Sequence, residues 1–329
     1  MPVQLGRETR PSQLYRPSVP ALGFSYTKFY HKVSLGNNTE VNGTERKVDA
    51  LNIQWVERVQ DMVDVNAPEH RIVPLAPGLE ATVAKVDSEN GSYVLKVWNK
   101  QAKPDIGKQY NLLSALHRQG LCVSKPYGWG IDSDHNQVLL TSYDGIPISR
   151  LDKEKLKRIA RMLVEVHRCR VNESDFSNLL HHEFIAYFFP AIEMHNDLHD
   201  VLLRLLENVE LSQDRLIHGD YNLGNILEES DRFTIIDWTN GQLGDPRYDI
   251  AWSVLLMRVY VGERYGGLYY NEFLKLGDYR PEDLEVFEAI ASIRWLLLDR
   301  IAGLPKGPST MKRIKTLVRN NRYIHENLI

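Results

Sequence analysis

Between residues 216 and 252 the chain sets polar side chains at short intervals among apolar ones. Ile217-His218-Gly219-Asp220 leads to Asn225, and Phe233-Thr234-Ile235-Ile236 leads to Asp237-Trp238. The apolar residues on either side predict short strands flanking a loop, with Asp220 and Asn225 on the loop and Asp237 ending the next strand. Two carboxylates and a carboxamide converging at one sheet edge suit a hard cation, which takes oxygen ligands. One carboxylate is then left to orient a hydroxyl nucleophile, the division of labour that phosphoryl transfer requires. Taken singly, each residue reads as turn chemistry, because Asp and Asn are common where strands end. The spacing gives them joint meaning.

Elements on both sides must hold this loop in place. Residues 1–67 read as an N-terminal extension, with Pro2, Pro11, Pro17 and Pro20 first and turn signals at Gly36-Asn37-Asn38 and Asn42-Gly43. Within it, Leu51, Trp55, Val59 and Met62 follow a helical period and predict a helix over 47–62. Residues 68–143 form a strand-rich unit, with strands expected at 72–75, 81–86, 92–98 and 138–141 and one helix over 106–118. Gly145 and Pro147 break the chain and mark a hinge. Residues 144–329 are mostly helical, with helices expected at 152–170, 183–208, 246–262, 281–302 and 308–325. Asp245-Pro246 suits a helix start, since Asp caps and Pro fits the first turn. The coarse architecture is α+β: a small strand-rich lobe followed by a larger helical one.

Composition narrows the class. Lys and Arg total 40 against 43 Asp and Glu, so no basic excess points to nucleic acid. No apolar run approaches the length that spans a bilayer, and no apolar leader follows the N-terminal arginines, so a cytoplasmic protein without a membrane partner is expected. Cys122 and Cys169 cannot build a disulfide framework and read as two reduced, packed thiols. His195 and His199 have a metal-ligand spacing but lack a glutamate between them, and read as a surface pair. Charge is uneven: residues 182–215 carry a net −5 and the tail 303–329 a net +5. Helix faces paired with one another explain this, and an acidic stretch attracting a cationic substrate is the sharper alternative.

In three segments the chain resembles the aminoglycoside phosphotransferase and choline kinase superfamily. His218-Gly219-Asp220 with Asn225 matches that family's catalytic loop, Ile236-Asp237-Trp238 its metal-binding segment, and Gly244-Asp245-Pro246 with Tyr248-Asp249-Ile250-Ala251 its helix start. The resemblance covers about residues 70–300. It implies a bilobal, protein-kinase-like fold and transfer of the terminal phosphoryl group of ATP or GTP to a hydroxyl of a small molecule, for instance an aminoglycoside-like antibiotic. It also implies that Asp220 takes or positions the hydroxyl proton, Asn225 and Asp237 hold magnesium, and His218 and Asp249 brace the loop. Lys96 resembles the strand lysine that meets phosphate, Gly78 falls in the nucleotide-covering turn, and Thr141 and Tyr143 fall in the segment that meets the base. One departure stands out: Gln109 occupies the helix position where the family keeps a glutamate for that lysine. On it, and on the absence of a GxGxxG pattern around Gly78, rests an alternative expectation, a non-catalytic nucleotide-binding module that signals through its N-terminal extension.

Overall fold

The computed structural model describes residues 52–75, 81–100, 105–170, 182–277 and 279–329. The small lobe is one antiparallel sheet of β1 (Gln54–Arg58), β2 (Arg71–Pro74), β3 (Ala81–Ser88), β4 (Gly91–Trp98), β5 (Pro126–Ile131) and β6 (Gln137–Ser142). Its spatial order is β1-β5-β6-β4-β3-β2. Alternation along central strand β4 divides its residues between two faces. Tyr93 and Leu95 pack with Val86, Val138 and Leu140 on one face, against Trp55 and Met62. Lys96 lies on the other, opposite Leu139 of β6. There α1 (Ile106–Arg118) covers Trp98 and Leu139 through Ile106, Leu113 and Leu116. The Asp105 side chain caps α1 by accepting from the Lys108 N–H at 3.0 Å.

Helices dominate the large lobe. β7 (Ile146–Pro147), β9 (Ile226–Glu229) and β10 (Arg232–Ile235) form one small sheet, and β8 (Arg215–Ile217) pairs with β11 (Gln242–Gly244). The helices are α2 (Lys153–His167), α3 (Phe184–Phe188), α4 (Asn196–Glu207), α5 (Pro246–Leu256), α6 (Glu263–Leu276), α7 (Pro281–Ala302) and α8 (Thr310–Asn320). Helix α5 is the hub. Ile250 and Val254 join the cluster that reaches through α2 and Tyr221 into the small lobe. Tyr248, Ala251, Trp252 and Leu255 join a second cluster with α4, α7 and α8. A helix apolar on all sides has to be interior.

The two-lobed α+β arrangement expected from the chain is the one it adopts, and several elements differ in detail. Gln54–Arg58, expected within a helix, is strand β1 paired antiparallel with β5; residues 47–51 lie outside the described residues. The reason is tertiary: β5 would otherwise present unpaired backbone groups along an edge. The helix expected over 183–208 is broken, because Pro190 cannot continue α3 and Ala191 turns left-handed at φ 54° before α4. The 246–262 helix ends at Leu256 and continues as a π-turn, Met257–Val261. Helix α6 and strand β5 were not expected. Among the described residues no helix is long and apolar enough to cross a membrane. Among the described residues neither cysteine forms a disulfide; Cys169 is buried as expected, whereas Cys122 is exposed.

The uneven charges also pair differently from the expectation. Arg300 holds Asp197 through two hydrogen bonds of 2.8 and 2.7 Å. In the tail, Arg319 pairs with Glu326 and Arg322 with Glu285. Among the described residues no ion pair joins the acidic 182–215 stretch to the basic tail.

Candidate active site

The loop after β8 begins with Gly219 at φ +76°. A side chain there would also meet the Asn240 carbonyl at 2.7 Å, so both backbone and space require glycine. Asp220 follows, only 2% exposed. Its Oδ1 accepts from the Trp252 indole N–H at 3.0 Å, and its Oδ2 from the Asn222 and Asn225 amides at 3.2 and 3.4 Å. The carboxylate is thus held from opposite sides.

Asn222 starts a short 3₁₀ turn, Leu223–Asn225, its side chain accepting from the Gly224 N–H at 2.8 Å. That turn delivers Asn225 into hairpin β9–β10, where Ile226 faces Ile235. Asn225 and Asp237 therefore leave the hairpin at the same end. The Asn225 carbonyl accepts from the Ile236 N–H at 2.9 Å, fastening the two segments together.

Asn225 carries the most informative atom. Its Nδ2 donates to the Asp220 carbonyl at 2.9 Å, which fixes the amide orientation. Its Oδ1 is buried and accepts no hydrogen bond from the protein. A buried carboxamide oxygen without a donor carries a desolvation cost that a cation relieves. With the Asp237 carboxylate on the neighbouring segment, the donor set is oxygen only. These residues fit a magnesium ion, the hard cation that phosphoryl transfer uses.

Two groups link the loop to its surroundings. Asp249, on the first turn of α5, accepts from the backbone N–H of His218 at 2.8 Å and of Gly219 at 2.9 Å. His167 of α2 adds a third contact at 3.1 Å. Burial pushes the Asp249 carboxyl upward, but these donors and the nearby imidazoles outweigh it and hold it below the usual range. His218 is itself fully buried. Its Nδ1 accepts from the Asp220 N–H at 3.3 Å, so its Nε2 carries the proton and donates to the Ile236 carbonyl at 3.1 Å. Burial lowers its pKa despite the opposing pull of Asp249, in keeping with that neutral tautomer.

In the small lobe, Lys96 is partly exposed on the α1-facing side of the sheet, and Thr141 is buried on the same side. Among the described residues, no hydrogen bond or ion pair ties Lys96 to Gln109, Asp220, Asn225 or Asp237. The amide of Gln109 reaches instead to the Thr239 hydroxyl at 3.3 Å. Tyr143 follows β6, with the Lys85 ammonium 4.5 Å from its ring centroid. Gly78 lies outside the described residues.

Three residues at the site carried no role in the sequence reading. Trp252 stands one helical turn beyond Asp249, so its spacing could have placed it on the loop-facing side. Arg294 interrupts an apolar run in α7 and is 2% exposed. It donates to the Gly219 carbonyl at 3.0 Å, with its guanidinium 4.1 Å from the centroid of the Trp252 ring. Tyr187 of α3 donates to Asn240 Oδ1 at 3.0 Å.

The chain is similar to known proteins in the same region. Residues 71–287 match the model of the phosphotransferase enzyme family. No curated protein matches the chain. Among solved structures, an amicoumacin kinase in complex with AMP-PNP, Ca²⁺ and Ami has 15% identity and a TM-score of 0.56, covering 78% of this chain and 90% of that one. A Plasmodium vivax ethanolamine kinase has 14% identity and a TM-score of 0.53, covering 77% and 82%. The choline kinase of Streptococcus pneumoniae has 18% identity and a TM-score of 0.51, covering 76% and 92%. At such identities the likeness is one of fold, and it is the bilobal fold of these kinases. Because the family model spans most of the chain, both lobes and the loop of Asp220 and Asn225 included, this protein belongs to the phosphotransferase enzyme family.

Proposed function

We propose that this chain transfers the terminal phosphoryl group of ATP or GTP to a hydroxyl of a small molecule, with magnesium. The observation that carries this reading is the Asn225 Oδ1, buried and without a hydrogen-bond donor beside the segment that leads to Asp237. Asn225 and Asp237 would hold the ion, which when bound neutralises charge on the transferring phosphates. Asp220 would accept the proton of the acceptor hydroxyl, its rotamer set by Trp252. Lys96 would meet the phosphates from the small lobe, and Thr141 and Tyr143 would lie beside the base. Asp249 and His218 would brace the loop from beneath. The kinase relatives act on ethanolamine, choline and amicoumacin, so amino alcohols and cationic antibiotics head the acceptor panel, with neutral macrolides beside them.

The non-catalytic alternative rests on a glutamine at the glutamate position and on the glycine-poor turn at Gly78, which lies outside the described residues. The hydrogen bond from Gln109 to Thr239 gives the glutamine a place in the structure and supports the enzyme reading. The test is nucleotide turnover by the purified chain with magnesium across that panel. Asp220→Ala is expected to lower turnover by about a hundred- to ten-thousand-fold. Full turnover in that variant would overturn the role of Asp220, and no turnover of ATP or GTP with any acceptor would overturn the reading.

A further inference from the structure

Asp237 has a left-handed backbone, φ 64° and ψ 65°, which aspartate tolerates better than most residues. Its side chain is held by a neighbour: the Thr239 hydroxyl donates to Asp237 Oδ1 at 2.7 Å. The same hydroxyl accepts from Gln109 Nε2 at 3.3 Å. A hydroxyl has one proton to give, and an ionised carboxylate has none. The relay therefore runs in one direction, from the Gln109 amide through Thr239 to Asp237. It begins on α1 of the small lobe and ends on a carboxylate assigned to the metal.

The turn carrying Thr239 is seated from two sides. A side chain at Gly241 would meet the Leu112 Cδ2 of α1 at 2.9 Å, so the helix lies directly on the turn. From the other side, the Tyr187 hydroxyl shares its one proton between Asn240 Oδ1 at 3.0 Å and the Thr239 carbonyl at 3.3 Å. We propose that Thr239 is a positioning residue that fixes one oxygen of Asp237 and so presents the other to the metal, and that Gln109 orients Thr239. This rests on the reading of Asp237 as a metal ligand and goes beyond it.

The relay explains why an acid would be wrong at position 109. A glutamate there could not donate, and it would compete with Asp237 for the single hydroxyl proton. The sequence of α1 contains no Asp or Glu at all. Gln109 is on this view a donor suited to its site, and not a weakened partner for Lys96. The two views predict opposite results for Gln109→Glu. If glutamine merely replaced a lysine partner, restoring the acid would leave metal binding unchanged or improve it. If the relay operates, the acid weakens metal binding.

The experiment measures binding, separately from activity. ADP is titrated calorimetrically into the full chain with and without Mg²⁺, and bound Mn²⁺ is followed by electron paramagnetic resonance in the presence of ADP. Thr239→Val and Gln109→Glu are each expected to weaken Mn²⁺ affinity by about tenfold, with metal-free ADP affinity held within about twofold. Thr239→Ser, which keeps the hydroxyl, is expected to restore wild-type affinity. Mn²⁺ affinity in Thr239→Val or Gln109→Glu within about twofold of wild type overturns the proposal. Should Thr239→Val fail to fold, Gln109→Glu and Thr239→Ser carry the test. A wild-type chain that binds ADP without any metal dependence overturns the metal assignment itself, a result distinguishable from failure of the relay alone.

Discussion

Asp220 is a carboxylate whose two oxygens have different jobs. Oδ1 accepts from the Trp252 indole at 3.0 Å, whereas Oδ2 accepts the longer bonds from Asn222 and Asn225. On the proposal that Asp220 is the base, a reacting hydroxyl needs it within a narrow arc, so the indole contributes geometry rather than chemistry. Trp252→Phe keeps the ring against Arg294 and removes the donor. It is expected to lower kcat by about ten- to a hundredfold while leaving the KM for nucleotide unchanged, as steady-state kinetics would show. A KM that rises in step with the fall in kcat would instead indicate a disturbed cleft. His218 illustrates the same separation of roles, since both ring nitrogens serve the backbone on either side of it.

At the scale of elements, α5 does most to set the loop. It is interior on all sides, so its first turn cannot drift, and Asp249 projects from it onto two consecutive loop amides. Asp249→Asn keeps the size but offers a single acceptor and turns two N–H donors toward the loop amides or His167. It is expected to cost about 3 kcal/mol, read from urea unfolding. Much of this arrangement was legible in the sequence. Residues 218–225, 236–238 and 244–251 are local patterns, and strands β3, β4 and β6 with helix α1 follow from periodicity. What escaped was tertiary. β1 finds β5 about seventy residues away, and β5 itself reads as turn because two glycines interrupt Pro126-Tyr127-Gly128-Trp129-Gly130-Ile131. Gln109 finds Thr239 at a separation of 130 residues, which local alignment with a lysine partner could not foresee. Arg294 was detectable as a lone cation in a buried stripe, but its acceptor, the Gly219 carbonyl, was not.

For the whole molecule, the buried site makes stability depend on pH. His218 and Asp249 both have pKa values below their ordinary ones in the folded chain. The unfolded chain therefore binds protons that the folded chain refuses, and stability falls as pH drops. The loss begins below about pH 6.5 for His218 and continues below about pH 4 for Asp249, and each contribution is fully present above its window. Thermal melts between about pH 7 and pH 5 are expected to show a falling Tm, with a shallower slope in His218→Gln. An unchanged slope would mean that His218 binds its proton equally in the folded and unfolded chain. One further consequence follows from how the loop is held. Asp249 grips main-chain amides, Arg294 a main-chain carbonyl, His218 the carbonyl of Ile236, and Tyr221 that of Ile159 at 2.9 Å. A peptide group is the same whatever side chain it bears. Mutational intolerance is therefore concentrated in the residues that do the gripping and in Gly219 and His218, whereas Ile236 and Ile159 offer only their carbonyls to the hold.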